Sequence, residues 1–162
     1  SKFAKLMRGI LENSEEKEIP LADELKMLEL YMQLEGSRLN NKFTYEIKVS
    51  EDVDANVTMV PPLILQPFVE NSIWHGFADK DGGGKIIIEV THDNSLLNCV
   101  VEDNGVGRMG TKPSSGKSYG MKITKDRIEL LNKLKNTNAS VNLIDLAEGT
   151  RVEVKLPFET EA

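Results

Sequence analysis

The residues of this chain best suited to chemistry lie in four short stretches: Glu70-Asn71, Asp103-Asn104-Gly105-Val106-Gly107, Gly116 to Gly120, and Gly149-Thr150. Asp103 follows an apolar run. A carboxylate that faces an apolar pocket can accept a hydrogen bond from an exocyclic amine such as adenine N6, and without such partners its burial is costly. Gly105 and Gly107 allow backbone approaches that side chains block. Asn71 offers a neutral oxygen, which suits Mg2+ alongside phosphate and water oxygens. The third stretch lies in a basic segment. From Arg108 to Lys135 there are eight Lys or Arg residues against two acids, in a chain whose net charge is −6. A basic, glycine-rich loop ending at a helix N-terminus suits a phosphate, because free N–H groups and the helix dipole both favour an anion. Arg108 and Lys117 are the candidate contacts by charge and position. Each stretch alone has a plainer reading: Asp-Asn-Gly as a turn, Glu-Asn as helix surface, the basic segment as a solvated face.

Other chemistries fit less well. Gly110 to Ser118 resembles a phosphate-binding P-loop, but five residues separate Gly110 from Gly116 where that motif has four. The single cysteine, Cys99, cannot form an internal disulfide and reads as a small buried hydrophobe. His75, His92 and Cys99 lack the paired spacings of a zinc site. Residues 55–69 carry no charge but are interrupted by prolines and too short to cross a bilayer. Nothing at the start reads as a signal peptide, and the acidic balance argues against a nucleic-acid binder. At 162 residues and 40% hydrophobic, the chain is expected to form one soluble globular unit.

The elements that would position these stretches follow from periodicity. Residues 1–13 and 20–36 predict two amphipathic helices, the second opened by Pro20 and striped by Leu21, Leu25, Leu28 and Met32. Phe43–Val49 alternates as a half-buried strand, and residues 57–60 form a short one ended by Pro61-Pro62. Leu63–His75 is apolar and helix-length, with Gly76 as its stop and Pro67 requiring an early-turn position. Strands are expected at 85–91, 96–103, 139–146 and 150–156, and a helix at 120–135 with Ile128 and Leu131 inward. Residues 104–119 read as a long loop. Hairpins interleaved with single helices predict a two-layer α/β (α+β) sandwich.

Taken together and in this order, the four stretches resemble the nucleotide-binding boxes of the ATPase superfamily that unites gyrase, histidine kinases and MutL. Pro61 to Gly76, which contains Gln66-Pro67-Phe68-Val69-Glu70-Asn71, is similar to the N-box of LytS/YehU-like sensor histidine kinases. Val101 to Gly107 resembles their G1 box, Gly120 to Leu131 their G2 region, and Gly149 to Pro157 their closing strand. Leu21 to Tyr31 resembles the helix before the ATPase core. The resemblance implies a Bergerat-type sandwich, a mixed β-sheet with helices on one face. Residues 1–19 would be the tail of an upstream dimerisation or linker helix, and 20–162 the ATPase domain. It implies ATP and Mg2+ as ligands. Asp103 would read adenine, assisted by Thr150, and Asn71 would hold Mg2+. Gly105 and Gly107 would hinge a lid, and Gly120, Met121 and His75 would line the nucleotide. Glu70 and Asn71 would be catalytic. The implied reaction moves the ATP γ-phosphate to a histidine on an upstream domain and then to a response regulator. The implied parent is a homodimer anchored in the inner membrane, and this part of it is cytoplasmic.

Three departures shape these expectations. No acceptor motif near His-Phe-Leu-Phe-Asn is present, and neither His75 nor His92 is placed to serve as one. Trp74 stands where many relatives have a phosphate-reaching lysine. Pro67 stands where gyrase-like members carry a water-activating glutamate, so rapid ATP hydrolysis is not expected. Two other classes remain open: an anti-sigma-factor type of serine kinase, and a nucleotide-binding pseudokinase that acts as an interaction module.

Overall fold

The computed structural model describes residues 1–40, 43–77, 82–93, 95–106 and 115–160, and in 115–121 and 159–160 it describes the backbone alone. Eight strands are described: β1 (Ile19–Pro20), β2 (Phe43–Val49), β3 (Thr58–Val60), β4 (Gly84–His92), β5 (Leu96–Asp103), β6 (Ser140–Asp145), β7 (Thr150–Pro157) and β8 (Glu159–Thr160). Five of them make the main sheet, in the order β2-β4-β5-β7-β6, while β1-β3-β8 make a small antiparallel one. In the main sheet β2 and β4 run parallel and the other described pairs antiparallel, so the sheet is mixed as expected.

Alternation along the strands decides which face is the core. Ile88, Val101 and Val152 lie opposite one another across β4, β5 and β7 and are all buried. The alternate positions of β7 are polar: Arg151 bonds Glu102 at 3.2 Å and Glu153 at 3.0 Å. Each buried Val, Leu or Ile contributes about 1.5–3 kcal/mol, against roughly 0–1 for a surface ion pair, so the apolar face fixes the register.

Among the described residues four helices accompany the sheet: α1 (Lys2–Ser14), α2 (Leu21–Arg38), α3 (Gln66–Asn71) and α4 (Ser115–Lys135), and α3 runs on into a π-helical turn, Ser72–Phe77. Leu21, Leu25, Leu28 and Met32 are buried on α2. On α4, Ile128 is buried and Leu131 packs partly against the core. Gly9 of α1 lies so near Met27 of α2 that a Cβ there would be 3.1 Å from its sulfur, so the two helices cross closely. Leu6 is buried, whereas Phe3, Met7 and Leu11 are exposed at four-residue spacing on α1.

Three helix boundaries differ clearly from expectation. The helix expected over 63–75 starts at Gln66, because Leu63 sits at φ +59° and Pro67 takes the first-turn position. Nor does it stop at Gly76. The π-turn carries it to Phe77, which is fully buried and stacks on Phe43 with ring centroids 5.5 Å apart. The helix expected from Gly120 starts at Ser115, so Gly116 and Gly120 lie within its first turns rather than in the loop. Residues 107–114 of that loop lie outside the described residues.

One charge breaks the apolar stripe of α2. Glu24 is completely buried, and its carboxylate accepts from the backbone N–H of Leu63 at 3.2 Å and of Ile64 at 2.9 Å. Burial raises its pKa from the ordinary 4.5 to about 7, against the lowering effect of the backbone bonds and Arg127. The folded state therefore holds this proton more tightly than the unfolded chain. Stability from this group is lost as pH rises from about 4.5 to about 7, by up to roughly 3 kcal/mol. Thermal melts of the Glu24→Gln variant between pH 5 and 8 are expected to show a flatter loss of Tm with rising pH than wild type. Parallel curves would refute the assignment.

Candidate functional site

Strand β5 ends at Asp103, which lies opposite Ile86 on β4 and Thr150 on β7. Its side chain is buried, with 5% of the residue exposed. Oδ2 accepts from Ser72 Oγ at 2.7 Å and from Thr150 Oγ1 at 2.8 Å, and Oδ1 accepts from the Gly105 N–H at 2.9 Å. An ionised carboxylate offers about four acceptor positions. Among the described residues three are used, and the remaining one, on Oδ1, can take a further donor such as an amine.

Backbone contacts hold this arrangement. The chain turns at Asp103–Val106, and the Val106 N–H bonds to the Gly76 carbonyl at 3.0 Å. A Cβ on Gly105 would lie 2.4 Å from Gly76 Cα, so the turn and the π-turn touch backbone to backbone. Gly149 sits at φ +94°, where a Cβ would fall 1.9 Å from the Asp103 carbonyl oxygen. Asn104 fixes the far side, accepting from the Lys85 N–H at 2.7 Å and donating to the Gly83 carbonyl at 3.0 Å.

The other expected residues gather on α3 and its continuation. Asn71 ends α3 and is half-buried. Glu70 beside it is exposed as a residue, yet partial desolvation raises its carboxyl pKa, opposed by a Gln66 hydrogen bond and assisted by Glu35. His75 is half-buried in the π-turn. The structure thus brings Asp103, Gly105 and Thr150 together with the π-turn that follows Glu70 and Asn71. Gly107 and Arg108 lie outside the described residues, and Lys117, Gly120 and Met121 are placed only by their backbone in α4.

Among solved structures, the fold is similar to the histidine kinase domain of the Erythrobacter litoralis EL346 blue-light activated kinase, with a TM-score of 0.66 over 97% of this chain and 73% of that one, at 16% identity. It is also similar to the histidine kinase ThkA in complex with the response regulator TrrA, with a TM-score of 0.61 over 98% of this chain and 48% of that one, at 16% identity. A family model described as histidine kinase matches residues 1–43. The sensor protein LytS of Staphylococcus haemolyticus is 27% identical over 98% of this chain, and the chain covers 28% of that relative's length. By sequence, the chain is a relative of the LytS-type sensor histidine kinases. Its mixed α/β architecture is similar to that of solved histidine kinase domains.

In this LytS-type chain, the position expected to carry a lysine holds Trp74, and the structure gives it a packing role. Its indole N–H donates to the Tyr31 hydroxyl at 3.2 Å, and the Arg38 guanidinium lies 4.2 Å above its ring. Arg38 is itself held by Glu35 at 2.7 Å. Desolvation raises the Tyr31 phenol pKa well above its ordinary value. Trp74 therefore anchors the π-turn to α2 while remaining 49% exposed.

Three residues around the site are not legible in the sequence as site residues. Ser72 is one of the donors to Asp103, across 31 positions of sequence, and no local pattern announces that contact. Glu24 did leave a signal, a charge at the spacing of Leu21, Leu25 and Leu28. Arg127 bonds the carbonyls of Pro62 and Leu63, on the turn before α3. Because neither backbone can yield at the Gly76–Gly105 contact, Gly105→Ala is expected to cost at least about 2 kcal/mol in a urea titration. A loss under half that size would mean that the contact relaxes.

Proposed function

We propose that this chain is the ATP-binding catalytic part of a two-component sensor histidine kinase. Residues 20–162 would form the nucleotide-binding domain and 1–19 the tail of an upstream dimerising helix. The observation that carries the reading is the Asp103 cradle, in which three donors orient a buried carboxylate and one acceptor position is left for an exocyclic amine. Use of ATP accords with the family.

The cradle fits an adenine base on its own geometry. Glycines flank it, and a Cβ on Gly76 would touch Asp103 Oδ1 at 3.4 Å, so bare backbone at Gly76 leaves room beside that oxygen. Thr150 and Ser72 orient the Asp103 carboxylate. Asn71 supplies the oxygen suited to Mg2+, in the first turns after Pro67. When bound, Mg2+ would neutralise charge on the phosphates. The basic residues Arg108 and Lys117 would act on the same charge, and Gly105 and Gly107 would flank the lid, with Gly120, Met121 and His75 beside the nucleotide.

The reaction would form a P–N bond between the γ-phosphorus and an imidazole nitrogen and break the bond to the β-phosphate oxygen, releasing ADP. Positioning does most of the work in such transfers. Glu70 would take the imidazole proton or orient the ring, and its raised pKa brings its proton affinity nearer to that of imidazole. Pro67 cannot activate water, so hydrolysis would be slow. The first 43 residues contain no histidine, so the acceptor would come from an upstream dimerisation and phosphoacceptor domain. The ThkA relative was solved with a response regulator, and a response regulator would be the final recipient here. The parent would be a homodimeric membrane sensor. Among the described residues, no helix is long and apolar enough to cross a membrane.

Calorimetric titration with Mg-ADP tests the reading. Binding is expected below millimolar nucleotide, and its absence would sink the proposal. Asp103→Asn is expected to weaken ADP at least about tenfold while leaving inosine diphosphate, which lacks the amine, little changed. Equal losses would remove Asp103 as the base reader. The exposed Trp74 favours a second reading, nucleotide binding without transfer. Phosphotransfer to a separately supplied acceptor-helix domain excludes it.

A further inference from the structure

Glu24 and Arg127 touch none of the four motif stretches, yet both end on the turn that launches α3. From α2, the Glu24 carboxylate accepts from the N–H groups of Leu63 and Ile64. From α4, the Arg127 guanidinium donates to the Pro62 carbonyl at 2.7 Å and the Leu63 carbonyl at 3.3 Å. Between them Leu63 adopts φ +59°, a left-handed conformation that is strained for a residue with a side chain. Such strain persists only where the surroundings over-determine it, and here four hydrogen bonds from two helices do so. Helix α3 has no side-chain cap of its own at Leu65.

We propose that Glu24 and Arg127 are positioning residues for the nucleotide site, clamping Pro62–Ile64 between α2 and α4 so that the placement of Glu70 and Asn71 depends on both helices at once. The functional readout rests on the nucleotide-binding reading above; the clamp itself does not. Asn71 lies only about 8 Å along α3 from Gln66, its first residue, so a tilt at the turn moves it. Neutralising the carboxylate turns one of its acceptor oxygens into a donor facing backbone N–H groups, which loosens the turn. The charged or titratable groups acting on Glu24 are Arg127 of α4 and the Cys99 thiol of β5. Burial pushes that thiol up to about 12, so it stays neutral. Glu24, raised to about 7, is the group that changes state near neutrality.

The test is Mg-ADP calorimetry on wild type, Glu24→Gln, Arg127→Met and the double variant between pH 6 and 8, with amide hydrogen exchange on the same samples. Each single variant is expected to bind about three- to tenfold more weakly at pH 8, and the double no worse than the weaker single, because both act on one turn. Wild type is expected to lose affinity towards pH 6 more steeply than Glu24→Gln, a comparison that cancels the nucleotide's own titration. Exchange should speed up across residues 66–71 in both singles. Folded variants with unchanged affinity and a lowered Tm would overturn the proposal. If wild type binds no Mg-ADP, the nucleotide reading fails and exchange decides the clamp: acceleration reaching 66–71 supports it, and acceleration confined to 62–64 overturns it. If Glu24→Gln does not fold, the same measurements on Arg127→Met and its expected rescue by Arg127→Lys decide it.

Discussion

A carboxylate removed from water must be hydrogen-bonded or it destabilises the fold that buries it. Asp103 is that carboxylate, and the local architecture follows from keeping it satisfied. Thr150 faces it because the β5–β7 register pairs the two residues. Ser72 reaches it because the π-turn brings the end of α3 to the edge of β5. Gly105 donates to it because the chain reverses immediately after it. That reversal in turn requires bare backbone at Gly76, Gly105 and Gly149, where any Cβ would meet another part of the cradle. Satisfying this one carboxylate thus relies on a strand register, a helix distortion and three glycines.

Helix α2 holds the same neighbourhood from outside. It contributes Glu24 to the turn before α3, and Tyr31 and Arg38 to the face of Trp74 after it. The segment carrying Glu70 and Asn71 is therefore held at both ends by one helix. Where relatives are expected to spend this position on a phosphate-reaching lysine, the chain has an aromatic ring that packs on α2. Cationic charge is concentrated instead between Arg108 and Lys135, on the far side of the Gly105 turn in sequence.

Much of the fold was readable from local pattern, since β2 and β5 begin and end where alternation placed them and α4 ends where its period does. What was not readable depended on contacts distant in sequence. Gly76 has the composition of a helix stop, but its lack of a side chain serves the approach of Gly105, and burial of Phe77 draws the helix past it. Leu63 looks like a helix-forming residue, and the clamp holds it left-handed. The start of α4 was missed because Ser115–Tyr119 has no apolar period. The motif stretches were legible because glycine, aspartate and asparagine at fixed spacing are unusual. Ser72 was not, because a serine on a helix is ordinary until Asp103 is placed beside it.

The hydrogen bonds that would bind an adenine amine share their carboxylate with those that hold β5, β7 and the π-turn together. Removing any one partner changes both the orientation of Asp103 and the cost of burying it, an interaction energy that does not divide cleanly between folding and binding. A chemistry that works by positioning draws its precision from packing, whereas one built on a reactive side chain can keep its nucleophile on a tolerant surface loop. Here the residues with the clearest chemical assignment, Asp103 and Thr150, are also structural members of the central sheet. Glu70, by contrast, sits at the exposed rim, where substitution leaves the core intact. Selection on such a site therefore acts on fold and ligand together at its centre and on rate alone at its edge.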